Sequence, residues 1–227
     1  MKTIIHIGQH KTGTTSIQHF LKDHQDELAR QRIHFPIMPG GQQNASHFSL
    51  NIYALDQNRY SPMKEDVVRE YGYQYLETFK QKVESDVRAA YEEAANRQCD
   101  TVLWSNEGLY LLNTEAEHRR LFRLFSRHSS EVEVVCCFRD SESFRESYKN
   151  ELIKQGIPLS DDPDSYRYVE NDSWLFDYDR KKHLLSTVFN KCSYFPYDPE
   201  DNVSRFLDVV GIQIEHRRNY RLNVRKP

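Results

Sequence analysis

Nine residues near the start of the chain, Gly8-Gln9-His10-Lys11-Thr12-Gly13-Thr14-Thr15-Ser16, combine the groups that hold an oxyanion. Gly8 and Gly13 permit positive φ, so the backbone can curl and aim several N–H groups at one point. The hydroxyls of Thr12, Thr14, Thr15 and Ser16 add donors, and Lys11 adds a full positive charge at the crown. A second constellation lies downstream, where Arg139-Asp140-Ser141-Glu142-Ser143-Phe144-Arg145-Glu146-Ser147 sets an arginine eight residues ahead of a serine. A guanidinium forks two phosphate oxygens while a hydroxyl donates a third bond. Arg and Ser at that spacing occur by chance in many chains. Their weight comes from where the chain puts them.

Both constellations need a strand in front and a helix behind. Thr3–Ile7 is apolar and β-branched, a buried strand bounded by Gly8. Ile17, Phe20, Leu21 and Leu28 then recur at helical spacing, so the first loop feeds a helix N-terminus with its partial positive charge. Val132–Phe138 is a second apolar run, and Arg139 follows it directly. Ser147 falls on a helix expected from about Ser141 to Lys154, with Ser143 and Glu146 as a capping box and Gly156 and Pro158 as its end. Further elements are a polar helix over Phe79–Asn96, a strand at Thr101–Trp104 running into Ser105-Asn106-Glu107, and a helix around Glu115–Arg127. A surface loop over Pro158–Asp172, a helix near Tyr178–Phe189, a strand at Ser193–Pro196 and a helix at Glu200–Val210 stopped by Gly211 complete the pattern.

Strands alternating with helices imply an α/β fold: three P-loop-like layers with a central, mostly parallel sheet flanked by helices. Pro36, Pro39, Gly40 and Gly41 interrupt it. Residues 38–76 are polar, rich in Tyr, Asn and Gln, and weakly periodic. They are expected as an irregular inserted lobe on the acceptor side, partly helical toward its end, within one domain spanning 1–227.

The first loop departs from the nucleotide-binding pattern G-x-x-x-x-G-K-[ST], because Lys11 precedes Gly13 and Thr14 follows it. No strand ends in the apolar run plus Asp that would hold Mg²⁺. Instead, His6-Ile7-Gly8-Gln9-His10-Lys11-Thr12-Gly13-Thr14-Thr15-Ser16-Ile17-Gln18 resembles the 5′-phosphosulfate loop of sulfotransferases, whose core reads K-[ST]-G-[ST]-[ST]. The flanking residues look like the bacterial carbohydrate-type branch.

That resemblance implies the donor 3′-phosphoadenosine 5′-phosphosulfate (PAPS), with adenosine 3′,5′-bisphosphate (PAP) as product and no metal. Lys11, Thr12, Gly13, Thr14, Thr15 and Ser16 would hold the 5′ end. The family also places an Arg at a strand end and a Ser eight residues later on the following helix, a pattern that Arg139 and Ser147 match and that would hold the 3′-phosphate. The family often has Pro where Ser141 stands. Arg217-Arg218-Asn219 is a looser match to its basic closing loop, and a solvated basic tail is the plainer reading.

Sulfuryl transfer to a hydroxyl needs a cation at the departing phosphate oxygen, for which Lys11 is placed, and a base for the acceptor proton. Glu107 stands at the carboxyl edge of the sheet, where ligands bind in open α/β folds. Sugar-type sulfotransferases commonly use a Glu there. His47 is the alternative base or an acceptor contact, since an unperturbed imidazole titrates near neutrality. The acceptor is expected to be a glycan or another hydroxylated metabolite, with Tyr53, Tyr60, Tyr71, Tyr73 and Tyr75 able to stack on sugar rings or simply to pack.

The totals narrow the field. Twelve Phe, fourteen Tyr and two Trp among 227 residues argue for a packed core despite a mean hydropathy of −0.81. A net charge of −3 gives no general pull toward nucleic acid or anionic lipid, so any anion site is local. Cys99, Cys136, Cys137 and Cys192 have no zinc spacing and are expected as reduced packing residues. His6 and His10 fall in a strand and a loop, which does not suit helical metal ligation. The opening apolar run is too short for a signal peptide, and no stretch approaches the ~20 apolar residues of a membrane span, so a cytoplasmic protein is expected. Two rivals remain. One is a P-loop phosphotransferase using ATP and Mg²⁺, against which the lysine position weighs. The other is a non-catalytic nucleotide-binding relative, against which intact Lys11, Arg139 and Ser147 weigh.

Overall fold

The strand and helix pattern places two loops at one edge of a sheet. In a computed structural model of the protein, which describes residues 1–38 and 45–214, the strands β1 (Lys2–His6), β2 (Ile33–His34), β3 (Thr101–Ser105), β4 (Glu131–Phe138) and β5 (Lys191–Pro196) form one sheet. The five strands lie in the order β2-β3-β1-β4-β5 and every pair is parallel. Strand β1 is central, with Ile5 opposite Trp104 on one side and Val134 on the other.

Alternation along the strands feeds two cores. Ile5, Trp104, Val134 and Cys136 pack against α5 (Tyr75–Asn96), α6 (Glu115–Ser126), α7 (Ser141–Lys154) and α8 (Tyr178–Val188). Ile4, Leu103, Val135 and Cys137 face α1 (Thr14–Asp23), α2 (Gln25–Arg30) and α9 (Asn202–Val210). The neighbouring cysteines therefore point into opposite layers, and all four thiols are free. Burial pushes the Cys137 thiol up to about 12, which removes thiolate chemistry near neutral pH.

The segment read as irregular is more helical than its sequence suggests. It carries α3 (Ser49–Ala54) and α4 (Pro62–Tyr71). Helix α4 hides its periodicity because its one fully buried side chain is a lysine. The Lys64 ammonium donates to the carbonyls of Asp56, Gln57 and Arg59 at 2.8, 2.9 and 2.7 Å. Val67 and Val68, three and four residues further on, share that face but are only half-buried. Strand β2 also escapes a sequence reading, since it is only two residues long. Among the described residues no helix is long and apolar enough to cross a membrane.

Candidate functional site

The first loop leaves β1 at the carboxyl edge, where the Ile7 N–H still bonds to the Val135 carbonyl at 2.9 Å. Two left-handed residues then make the curl: Lys11 at φ 66° and Gly13 at φ 69°. Gly8 is not one of them, contrary to the sequence expectation. It is required for close approach, because a Cβ there would lie 2.6 Å from Cγ2 of Thr14. The positive φ falls instead on Lys11, a residue with a Cβ, at a cost of order 1–2 kcal/mol. Strain of this kind persists where surrounding bonds hold it, and they do here. The Thr12 hydroxyl donates to the Gln9 carbonyl at 2.7 Å, and Asn202 of α9 donates to the Thr12 carbonyl at 2.6 Å.

Helix α1 starts with Gly13 as its cap residue, no side-chain cap and no acidic residue in the first turn. The Ser16 and Ile17 N–H groups bond back to the Gly13 carbonyl. Those of Gly13, Thr14 and Thr15 make no hydrogen bond among the described residues. Unmatched donors converging at a helix start suit an anion.

Arg139 arrives from the neighbouring strand. Its N–H donates to Oε1 of Gln9 at 2.7 Å, its Nη1 donates to the Lys11 carbonyl at 3.3 Å, and its guanidinium lies 5.4 Å from the Tyr197 ring centroid. The two junctions therefore touch across 128 residues of sequence. Gln9, fully buried, is the bridge, with Nε2 donating to the Tyr110 hydroxyl at 3.1 Å.

Helix α7 completes the wall. Its cap is Asp140, whose carboxylate accepts from the Ser143 N–H at 3.0 Å. The Ser143–Glu146 box expected from sequence does not cap the helix, because the start lies three residues earlier and the Asp140 side chain serves its first-turn amide. Ser143, Ser147 and Glu151 are four apart and share a face. The Arg139 Nε donates to the Ser143 hydroxyl at 3.4 Å, and Glu151 pairs with the Lys11 ammonium at 3.0 Å. Ser147 lies between them, half-buried, its hydroxyl unmatched among the described residues. The hydrogen bond from Lys11 holds the Glu151 carboxyl below its ordinary value.

The third side is Glu107, first residue of a short 3-10 helix, Glu107–Leu111, that follows β3. Gln18 of α1 donates to its Oε2 at 2.8 Å, and its other oxygen makes no hydrogen bond among the described residues. His47 is not brought here. Its Nε2–H donates to the Pro36 carbonyl at 2.8 Å and its Nδ1 accepts the Ser105 N–H at 2.9 Å, with the ring against Phe35 and Trp104. Burial lowers this imidazole to about 4, so it is a neutral strut with both nitrogens engaged.

No protein-family model matches the chain, and no curated protein matches its sequence. Solved structures similar in shape include two sulfotransferases. A sulfotransferase from Alicyclobacillus acidocaldarius is 14% identical, with a TM-score of 0.56 over 99% of this chain and 87% of that one. The sulfotransferase domain from the curacin biosynthetic pathway is 10% identical, with a TM-score of 0.50 over 96% and 76%. The chain has a sulfotransferase fold.

On this sulfotransferase fold, Lys11, Thr12, Gly13, Thr14, Thr15, Arg139 and Ser147 meet at one edge, with Glu107 beside them. Sequence reasoning gave no role to Gln9, Gln18, Glu151 or His10. Gln9, His10 and Gln18 are letters of the loop motif, yet what each touches lies on another element. The tyrosines divide. Tyr53 is core, Tyr73 bonds to the Gln57 carbonyl, and Tyr60 and Tyr71 are exposed. A cavity of about 300 Å³ lined by Ile52, Gln57, Lys64, Tyr73 and Lys80 lies in this region, and no residue of the two junctions lines it. Arg217, Arg218 and Asn219 fall outside the described residues.

Proposed function

We propose that the chain is an enzyme that moves the sulfuryl group of PAPS to a hydroxyl of a carbohydrate or other small hydroxylated acceptor. The observation that carries this reading is the contact between the junctions, Arg139 on the Lys11 carbonyl and on Gln9. A doubly phosphorylated nucleotide needs two anion sites held at a fixed separation, and this contact fixes one.

The donor supplies the sulfuryl group and a phosphate leaving group. The loop amides and the hydroxyls of Thr14, Thr15 and Ser16 bind its 5′ end, while Arg139 and Ser147 bind the 3′-phosphate. Lys11 neutralises charge on the departing phosphate oxygen, a preorganised interaction of several kcal/mol in order of magnitude. Glu107, steadied by Gln18, takes the acceptor proton through its remaining oxygen.

Thermal shift with PAP beside ATP–Mg²⁺ tests the donor site. PAP should raise the melting temperature clearly, and Arg139→Ala should largely abolish that rise. A larger response to ATP–Mg²⁺ overturns the reading in favour of phosphoryl transfer. Glu107→Gln should keep the PAP response while losing PAP release from PAPS in the presence of sugar acceptors. Retained turnover would move the base elsewhere.

A further inference from the structure

His10 is unused in the reaction above, yet it stands inside the cluster. The residue is half-buried between Gln9 and Lys11, and its Nε2 is buried with no hydrogen-bond partner. Its other nitrogen, Nδ1, is neither buried nor hydrogen-bonded among the described residues. The ring centroid is 5.5 Å from that of Tyr148 on α7. The titratable groups facing it are Lys11 on its own loop, Glu107 on the 3-10 helix, and Tyr148 and Glu151 on α7. Unmatched polar atoms in a native interior call for an explanation.

The accessible Nδ1 and the charge balance of the cluster give this ring a role. Lys11 and Arg139 are offset by Glu107 and Glu151, so these four side chains sum to no net charge. A phosphate monoester alone brings about −1.5 to −2 at pH 7. The loop amides help hold such an anion, but its arrival leaves these side chains and the phosphate with a net negative charge that one further proton would reduce.

We propose that His10 binds the donor as an imidazolium, taking up a proton as the anion arrives and aiming Nδ1–H at its 5′ end. This rests on the sulfotransferase reading of the site. In the free protein, burial holds the imidazole below its ordinary value, with the Glu107 carboxylate opposing and Lys11 adding to the effect. The ring is then neutral near pH 7. An anion placed beside it favours the charged form, and the proton it gains links affinity to pH.

Calorimetric titration of the full chain with PAP at pH 7, in two buffers of different ionisation enthalpy, reads that proton directly. The wild type should take up more protons than His10→Gln, by up to one per nucleotide. Between pH 6 and 8 its affinity should fall more steeply than the variant's, by up to about tenfold per pH unit. The difference between the two proteins removes the nucleotide's own phosphate titration. His10→Lys carries a permanent charge and should bind PAP without the extra uptake, which keeps the test open if His10→Gln folds poorly. Equal proton uptake in wild type and variants overturns the role of His10 and leaves the nucleotide site standing. Failure of the wild type to bind PAP at any pH overturns both.

Discussion

Strands β1 and β4 carry charge near both ends of the sheet, and the two ends treat it differently. Toward the amino end, Glu133 is 1% exposed and fully engaged: Lys2 meets one oxygen at 2.6 Å, while Lys191 and the Ser193 hydroxyl meet the other at 3.0 and 2.6 Å. Burial alone would raise this carboxyl, yet the bonds from Lys2, Ser193 and Lys191 hold it below the ordinary carboxylate value. At the carboxyl end, Lys11 and Glu151 stay 33% and 29% exposed. Around them the Ser147 hydroxyl, the loop amides and the His10 ring keep donors or acceptors unmatched among the described residues. The first cluster closes on itself and the second opens outward. A group of charges therefore signals a site only where matching groups are missing, which sequence spacing does not reveal.

Deleting one charge at each end of the sheet separates the two clusters most clearly. Glu133→Ala removes a buried carboxylate together with its bonds from Lys2, Lys191 and Ser193, and because the two lysines reach solvent the loss is about 1–3 kcal/mol. Urea unfolding should show that loss, while the surviving folded protein keeps its PAP response. Lys11→Ala should behave oppositely. Its partly exposed pair is worth at most about 1 kcal/mol of stability, but turnover should fall roughly 10²–10³-fold as the departing oxygen loses its cation. Equal stability losses in the two variants would erase the distinction.

How much of this was legible in the sequence follows from the range of each contact. Strand β1, the loop and α1 are consecutive, so local pattern places Lys11 and the hydroxyls at a helix start. Strand β4 and α7 likewise deliver Arg139 and Ser147. What stayed hidden depends on partners far along the chain. Gln9 meets Arg139 across 130 residues and Lys11 meets Glu151 across 140. Glutamines and glutamates are common on surfaces, so nothing marks these before the chain folds. The segment carrying α3 and α4 misleads for another reason, since a lysine there occupies the position that pattern reading reserves for an apolar residue.

Histidines give the comparison its finest test, because His10 is open and His47 is closed. With its folded value near 4, His47 is neutral in the native state, while in the unfolded chain it titrates near 6.5. Between those values the unfolded state binds the extra proton, so stability is fully present above about pH 6.5 and is lost as pH falls. Each such group contributes up to about 1.4 kcal/mol per pH unit. His6 and His118, both lowered to about 3 chiefly by burial, add to the same acid slope. Urea unfolding at pH 7, 6 and 5 should show the steep decline in the wild type. In His47→Asn, which is less stable at pH 7 for want of one strut, the slope should be shallower by up to one proton's worth. The pH dependence of PAP affinity should be unchanged in that variant, since His47 touches neither junction. An unaltered acid slope would mean that the His47 ring titrates alike in the folded and unfolded chain, and the contrast between the two histidines would vanish.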